Sequence, residues 1–181
     1  MKGCITMNVF NHHTQMITVL QEHFGTKDIV GIEIGTNRGD LTKAIMLYCP
    51  NVVKLYTVDP WKHTEGEQFE AGLSQGYHDK NEAQARSALE KYDGRVEIFK
   101  MGSDEAYWQH LRKKIVNFVW IDGHHAYEQV KKDINNYRHN VVGGGLIGGH
   151  DYGQVPDVTK AVDECYENVN KGVDFTWWVK L

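Results

Sequence analysis

Acidic and glycine residues recur where short apolar segments of this 181-residue chain end. Glu33 is followed by Gly35 and Gly39, and Asp59 and Asp122 end two further apolar segments. Carboxylates accept hydrogen bonds from hydroxyls and attract cations, whereas glycine lets a ligand approach the backbone closely. If the segments are parallel strands, their carboxyl ends meet at one edge of a sheet. The pattern therefore predicts a cleft lined with carboxylates that binds a ligand with hydroxyls and a cationic or amine-bearing end.

Residues 30–40 predict a buried strand, a tight glycine turn and the first turn of a helix, in that order. Backbone N–H groups left free at such a turn and helix start point into a small-molecule pocket. Glu33 is unusual there, because burying a carboxylate without a partner is costly. It either forms an ion pair with Arg38 or a neighbouring lysine, or contacts a cation or hydroxyl of the ligand. Its position at a strand end favours the ligand.

Asp59 follows the second predicted strand, about 20 residues beyond the glycine turn, where a carboxylate can accept hydrogen bonds from both hydroxyls of a ribose. A turn before Pro60 is the alternative role. Ser103 and Asp104, behind the third strand, are placed to contact an adenine ring, to cap the next helix, or to do both. A dinucleotide is disfavoured, because the Glu-x-Gly-x-x-x-Gly spacing lacks the closely set glycines of that fingerprint and Glu33 would repel a pyrophosphate.

The elements that position these residues follow from hydrophobic periodicity. Helices are predicted at residues 14–24, 40–48, 80–92, 103–115, 127–138 and 158–169, and strands at residues 29–34, 52–58, 96–99 and 116–121, with a fifth strand that follows a turn within 141–147 and ends at 150–151, and a closing strand at 173–181. Trp108, Leu111 and Ile115 are predicted to be the buried side of their helix. Strands that alternate with helices predict an α/β fold, with a parallel sheet and helices on both faces of a single domain over residues 1–181.

Residues 61–79 mix glycines, histidines and aromatic residues without a clear period. Long irregular loops in compact domains are usually functional or mobile. Because this segment follows the second strand, we expect it to lie over the ligand end of the sheet as a substrate-facing loop, with a plain surface insertion as the alternative. Residues 1–28 are predicted to be an N-terminal helical segment.

Composition limits the classes of partner. The formal net charge is −4, with 41% hydrophobic and 24% charged residues, which suits a globular protein without a basic surface for nucleic acid. No apolar run is long enough to cross a membrane, and the N-terminus has no signal-peptide core. Three widely separated cysteines favour reduced thiols. We therefore expect a cytoplasmic protein that binds a small molecule and neither nucleic acid nor membrane.

Three motifs together resemble the class I S-adenosylmethionine-dependent methyltransferases. They are the Glu-x-Gly-x-x-x-Gly turn, the acid that ends the next strand, and the pair formed by Ile-Asp-Gly-His-His-Ala-Tyr at 121–127 and His-Asp-Tyr at 150–152. Residues 118–152 are similar to a branch of O-methyltransferases that act on sugars and natural products. The resemblance implies S-adenosylmethionine as the cofactor, methyl transfer to a hydroxyl of a small molecule, and a three-layer Rossmann-like methyltransferase fold whose mostly parallel sheet has about six to seven strands.

The resemblance also assigns the cofactor-binding residues. It places the methionine end at Glu33, Gly35, Thr36, Asn37 and Gly39, the ribose at Asp59, and the adenine at Gly102, Ser103 and Asp104, with Asp122 also against the cofactor. These enzymes usually close the sheet with a seventh strand in an antiparallel hairpin. Only one strand is predicted here after the last helix, so we expect a reduced core whose substrate is covered by residues 61–79 or by a second subunit of a homo-oligomer.

Methyl transfer to a hydroxyl needs an aligned acceptor, exclusion of water and a general base. Asp122, His124, His125 and His150 are the candidate catalytic residues; the sequence does not choose among the histidines, each of which alternatively forms a loop or helix-start hydrogen bond. Some relatives bind Mg²⁺ through acids at the ends of the fourth and fifth strands, which matches Asp122, His150 and Asp151. Mg²⁺ prefers oxygen ligands, so His150 favours either a softer divalent ion or no metal.

Two other functions stay open. The narrower branch also resembles hydroxylases, so a metal-dependent hydroxylase-like enzyme on the same fold is one alternative, which iron dependence and oxygen consumption would distinguish. A non-catalytic module that only senses the nucleoside is the other, and it would bind tightly without turnover.

Overall fold

The computed structural model describes residues 14–65 and 69–181, so the first thirteen residues of the predicted N-terminal segment lie outside it. The helices are α1 (Thr14–Phe24), α2 (Asp40–Tyr48), α3 (Gln75–Leu89), α4 (Ser103–Ala106), α5 (Tyr127–Tyr137) and α6 (Pro156–Cys165). The strands are β1 (Ile29–Ile34), β2 (Val52–Val58), β3 (Val96–Phe99), β4 (Val116–Ile121), β5 (Val141–Gly149), β6 (Asn170–Lys171) and β7 (Trp177–Lys180).

These strands form a seven-stranded sheet in the order β3-β2-β1-β4-β5-β7-β6. Strands β1 to β5 are parallel, whereas β7 runs antiparallel to both β5 and β6. One core cluster includes residues of α5 and α6 and the other includes residues of α1 and α2. The central strands are therefore covered on both faces, as their continuous apolar sequences require. This arrangement confirms the predicted three-layer, Rossmann-like α/β fold.

The C-terminal end of the sheet differs from the prediction of one closing strand over residues 173–181. Two strands follow α6, and they form the antiparallel hairpin β6–β7. Strand β6 has only two residues, both exposed, so it carries no apolar pattern that sequence analysis can detect. Strand β7 begins only at the fully buried Trp177. Val173, the first residue of the predicted closing strand, lies almost entirely in solvent. The predicted reduced core is therefore wrong, and the sheet is complete.

The helix after β3 also differs from the prediction. Of its predicted buried side chains only Leu111 is buried, whereas Trp108 is 58% exposed and Ile115 is 66% exposed. Helical structure ends at Leu111, so Ile115 lies beyond the helix that was predicted to reach it. Trp108 lies in a π-turn over Tyr107–Leu111, in which the backbone N–H of Arg112 donates to the carbonyl of Tyr107 at 2.8 Å. A π-turn adds one residue to the turn, which rotates the following side chains away from the 3.6-residue spacing.

Two predicted helix boundaries are also corrected. Helix α3 begins at Gln75 rather than at residue 80, with Ser74 as its N-cap, so the irregular part of 61–79 is shorter than predicted and includes the 3₁₀ turn Phe69–Gly72. Helix α6 ends at Cys165 rather than at residue 169. No helix within the described ranges is long and apolar enough to cross a membrane.

Candidate active site

A cavity of about 770 Å³ opens at the carboxyl edge of the sheet, where it is lined by residues that follow all five parallel strands. The lining includes twelve of the predicted site residues: Gly35, Thr36, Asn37, Asp59, Gly102, Ser103, Asp104, Asp122, His124, His125, His150 and Asp151. Glu33 and Gly39 are the two predicted residues outside the lining. The strand order places the residues after β2 and β3 on one side of β1 and the residues after β4 and β5 on the other.

The turn after β1 is held against the ends of its two neighbouring strands. The N–H of Gly35 donates to Val58 at 2.8 Å, and the N–H of Asp122 donates to Ile34 at 2.8 Å. Gly35 has a φ of 96°, and a Cβ there would lie 1.9 Å from the carbonyl oxygen of Asp122. Only glycine meets both conditions, because other residues are strained at this φ and a side chain has no space. The turn after β1 and the turn after β4 are thus in direct backbone contact.

Glu33 lies beneath this turn, fully buried. The hydroxyl of Thr42 donates a hydrogen bond to its Oε2, while its Oε1 has no hydrogen-bond partner among the described residues. Burial raises the pKa of Glu33 to about 8, although the hydroxyls of Thr42 and Thr57 act to lower it. The ion pair considered with Arg38 is absent, since Arg38 pairs with Asp40 at 2.9 Å. Glu33 is therefore one layer below the cavity surface.

Asp59 is fixed by two backbone donors. Its Oδ2 accepts from the N–H of Asn37 at 2.8 Å, and its Oδ1 accepts from the N–H of Trp61 at 2.8 Å. The buried Trp61 indole donates in turn to the carbonyl of Asn37 at 2.8 Å. Burial raises the pKa of Asp59, partly offset by these N–H donors. The turn role considered for Asp59 is therefore present, and two of about four lone-pair sites on its carboxylate are taken.

The residues after β3 are held by α5. The Gln129 amide donates to Ser103 Oγ at 3.1 Å and to Asp133 Oδ1 at 3.0 Å, and the Tyr137 hydroxyl donates to the carbonyl of Ser103 at 2.6 Å. Burial raises the pKa of Asp133 to about 7. The predicted capping role is not observed, because Gly102 is the N-cap of α4 and no side chain caps the helix.

Asp122, His125 and Asp151 form the polar group behind β4 and β5. One ligand atom from each lies within 4.8 Å of the other two, which is a spacing that could hold a metal ion. His125 Nε2 is 2.9 Å from Asp151 Oδ2, and His150 Nδ1 is 3.4 Å from Asp151 Oδ1. The set with metal-ligand spacing thus contains His125 and the two acids, and the predicted His150 lies beside it, next to Asp151. His124 instead accepts the N–H of Ala126 at 3.2 Å, which is the loop role considered for these histidines.

The carboxylates and the histidines behind β4 and β5 stabilise each other's charged forms. Burial by itself lowers the pKa of His150, but Asp151 and Asp122 outweigh it and raise that pKa to about 9. Burial likewise acts to raise the pKa of Asp151, yet the hydrogen bonds from His125 and His150 leave it well below the ordinary value. Asp151 also has a φ of 65°, a left-handed backbone conformation that is uncommon for residues other than glycine.

His78 and Gln129 are among the polar residues of the lining that sequence analysis missed. His78 lies within the segment that was expected to be irregular, and the serine N-cap at Ser74, three residues before Tyr77, is the signal that could have placed it on a helix. Gln129 was missed because it lies on the polar side of α5, which the hydrophobic pattern predicts to face solvent.

A family model for a methyltransferase domain matches residues 32–152, about two thirds of the chain. The match spans both turns that meet at the cavity. The chain belongs to the class I S-adenosylmethionine-dependent methyltransferases. This confirms the resemblance carried by the motifs at residues 33–39, 121–127 and 150–152. No match to this methyltransferase was found among curated proteins.

Solved structures share the fold of this methyltransferase. The O-methyltransferase NovP is 18% identical, with a TM-score of 0.60 over 92% of this chain and 76% of NovP. An inferred rRNA methylase from Clostridium thermocellum is 14% identical, with a TM-score of 0.64 over 97% of this chain and all of that chain. An inferred methyltransferase from Streptococcus mutans, solved in complex with SAH, is 12% identical, with a TM-score of 0.65 over 95% of this chain and 98% of that chain.

Proposed function

We propose that this methyltransferase transfers the methyl group of S-adenosylmethionine to a hydroxyl of a small polar molecule, such as a sugar or a natural product. One observation carries the proposal: a single cavity is lined both by the residues predicted for the nucleoside and by the Asp122–His125–Asp151 group. Its volume of about 770 Å³ is in the upper part of the range for ligand pockets. That volume suits a nucleoside cofactor together with a small acceptor.

The cofactor end of the proposal is the side of the cavity behind β2 and β3. Asp59 has lone pairs left for ribose hydroxyls, and it is rigid because two backbone N–H groups hold it. A Cβ at Gly102 would have no other atom within 4 Å, so the wall beside Ser103 is open to a flat ring. Glu33 acts from below, where it and Thr42 support the glycine turn that faces the methionine end.

The acceptor end is the side behind β4 and β5. In-line methyl transfer moves the methyl from the sulfonium to the acceptor oxygen, and the hydroxyl proton must leave. With His125 Nε2–H donated to Asp151, the Nδ1 of His125 is the atom proposed to take that proton. Asp151 positions the ring and stabilises its charged form, as a carboxylate does beside any histidine base.

A divalent cation is the alternative to a histidine base at this end. Asp122, His125 and Asp151 would hold it with two oxygen ligands and one nitrogen ligand, a donor set that suits Mn²⁺ or a similar ion better than Mg²⁺. The cation would orient and acidify the acceptor hydroxyl. Activity that EDTA abolishes and Mn²⁺ restores would favour the cation, whereas activity that EDTA leaves unchanged would favour His125 as the base.

A nucleic-acid acceptor is disfavoured for this chain. Its net charge is −4, and proteins that bind RNA rely on cationic side chains to contact phosphates. Several apolar side chains also line the cavity, namely Ile17, Leu41, Ala44 and Val155. Such a lining suits the carbon skeleton of a small acceptor.

Binding is the first test. Calorimetry should detect 1:1 binding of S-adenosylmethionine and S-adenosylhomocysteine, and D59N should weaken both by roughly tenfold or more because hydrogen bonds to a charged group are lost. Y56F, which changes a residue outside the lining of the cavity, is the control. A folded wild-type protein that binds neither compound would sink the proposal.

Turnover is the second test. Labelled S-adenosylmethionine is offered with a panel of hydroxylated sugars and phenols, matched amines, and total RNA. Label transfer to a hydroxyl compound, lost in H125N and D151N, is expected. Transfer only to amines would overturn the O-directed part of the proposal, and transfer only to RNA would overturn the small-molecule part; either result leaves the binding result standing.

A further inference from the structure

His78 is a buried polar residue on the first turn of α3 that the proposed function leaves without a role. The residue is 7% exposed and lines the cavity. Its ring nitrogen Nε2 has no hydrogen-bond partner among the described residues. Buried nitrogens are nearly always hydrogen-bonded, because an unpaired one loses its bond to water without compensation. At the wall of a ligand cavity, the missing partner is expected to come from the ligand.

The surroundings of His78 indicate which part of the ligand this is. His78 lies close enough to Asp59 for a positive charge on its ring to favour the ionised form of that carboxylate. Asp59 follows β2, whereas the Asp122–His125–Asp151 group lies across β1, behind β4 and β5. The orphaned nitrogen is therefore on the nucleoside side of the cavity.

The start of α3 is fixed to the same turn that holds Asp59. The Gln75 amide donates to the carbonyl of Trp61 at 3.0 Å, and the Asn81 amide donates to Asn37 Oδ1 at 2.6 Å. Asn37 and Trp61 supply the two backbone N–H groups that hold Asp59. The His78 ring and the Asp59 carboxylate are thus held in a fixed relation by shared partners, which is the preorganisation that a binding pair needs.

We propose that His78 binds the cofactor through a hydrogen bond between its Nε2 and one ribose hydroxyl, while Asp59 accepts a hydrogen bond from the other. An imidazole nitrogen can donate or accept according to its tautomer, and a hydroxyl can do either, so both tautomers of His78 allow the contact. The inference rests on the proposed function, in that the ligand is a nucleoside. It makes recognition of the ribose depend on two elements, β2 and α3.

The test combines variants of the protein with variants of the ligand. Calorimetry measures S-adenosylhomocysteine, adenosine, 2′-deoxyadenosine and 3′-deoxyadenosine against the wild type, H78F and H78Q, with H139Q as the control at an exposed histidine. H78F should weaken adenosine and S-adenosylhomocysteine about tenfold, the value of one hydrogen bond at the upper end of the usual range. H78Q, whose amide nitrogen can occupy the Nε2 position, should recover part of the loss, and H139Q should have no effect.

The decisive result is the coupling between His78 and one hydroxyl. For the deoxynucleoside that lacks the hydroxyl bound by His78, the wild type and H78F should bind equally. An equal loss for all four ligands would show a structural role and overturn the inference, as would unchanged binding by a folded H78F. If H78F does not fold, H78N replaces it, because its amide occupies the Nδ1 position and leaves Nε2 unfilled. A wild type that binds S-adenosylhomocysteine and adenosine but fails this test overturns the present inference and leaves the proposed function standing, because the binding test of that function fails only if neither S-adenosylmethionine nor S-adenosylhomocysteine binds.

Discussion

Glu33 lies close to the candidate site but is not among the residues that line the cavity. It is fully buried below the glycine turn and accepts a hydrogen bond from Thr42. Its pKa is raised to about 8, mainly by burial, so the folded protein holds the proton more tightly than the unfolded chain does. A sequence motif marks this glutamate, but only the packing around it shows that it lies beneath the turn rather than at the cavity surface.

The first prediction concerns Glu33→Gln. Because the folded-state pKa is raised, the stability that wild-type Glu33 contributes is present below about pH 4.5 and is lost as pH rises towards about 8. Glutamine has no proton to lose, so the free energy of unfolding of E33Q should rise relative to wild type between pH 5 and pH 8.5, on the order of 2–4 kcal/mol. Urea denaturation at both pH values measures this, with the exposed-site variant E90Q as control. Parallel pH profiles of wild type and E33Q would contradict it.

The second prediction concerns Gly35→Ala. A Cβ at Gly35 meets the Asp122 carbonyl at 1.9 Å, and the φ of 96° adds backbone strain. We expect a loss of roughly 3 kcal/mol or more in the free energy of unfolding. Gly94→Ala is the matched control, since Gly94 has a φ of 85° but no atom within 4 Å of its Cβ position. Gly94→Ala therefore measures the backbone strain alone, which we expect to lower the free energy of unfolding by about 1 kcal/mol. Equal losses in the two variants would mean that the contact with Asp122 is not the limiting factor.

At the scale of elements, the π-turn after α4 shows where periodicity fails. Ala106 and Leu111 are both buried although they are five residues apart, while Trp108 is turned outwards. Nothing in the residue types marks the extra residue in the turn, because the hydrogen bond from Arg112 to Tyr107 is a backbone contact.

The third prediction tests this rotation. Leu111→Ala should cost about 2–5 kcal/mol of unfolding free energy because it leaves a cavity in the core. Trp108→Ser should change stability by about 0.5 kcal/mol or less, since the indole is mostly in solvent. Thermal and urea denaturation of both variants check this. A large loss of stability in W108S would instead indicate that Trp108 is buried, as the regular helical spacing predicts, and that the π-turn is not formed in solution.

Much of the fold could be predicted from the sequence because its strong signals are local. Strands β1, β2, β3 and β4 are short apolar segments that end at turn residues, and alternation with helices implies a parallel sheet. The hairpin strand β6 could not be predicted, because its two exposed residues carry no apolar pattern. The start of α3 was missed for a related reason: its first turn, Gln75 to His78, packs through polar contacts that a hydrophobic pattern does not record.

Part of the candidate site could also be predicted from the sequence. Residues that follow a strand come together because parallel strands share an edge, so twelve predicted residues line one cavity. The relative positions of His125 and His150 were not predictable, since they depend on the turn after β5. There Asp151 has a left-handed backbone, and its carboxylate lies 2.9 Å from His125 and 3.4 Å from His150. His78 and Gln129 come from helices packed across the cavity, and their positions depend on tertiary packing alone.

At the scale of the whole molecule, cofactor binding should stabilise the fold, because the cavity joins the ends of all five parallel strands and α3. The fourth prediction is that S-adenosylhomocysteine at 100 times its Kd adds about 2.7 kcal/mol to the free energy of unfolding. For a chain of 181 residues this corresponds to a rise in Tm of roughly 5–10 °C. Scanning calorimetry measures it, and D59N at the same ligand concentration should show a smaller rise. An unchanged Tm at saturating ligand would contradict the prediction.

Trp61 gives this molecule an optical property of its own. The indole forms part of the cavity wall and is almost completely buried, while its N–H is tied to the turn that holds Asp59. Of the five tryptophans, Trp108 is the one with a large exposed surface, and its emission would add a background insensitive to the cavity. With Trp108 replaced by phenylalanine, Trp120, Trp177 and Trp178 still emit, but Trp61 is the tryptophan that lines the cavity. A ligand-dependent change in native fluorescence that disappears when Trp61 is also replaced by phenylalanine therefore reports cavity occupancy, and acceptor libraries can be screened in real time without a label on either partner.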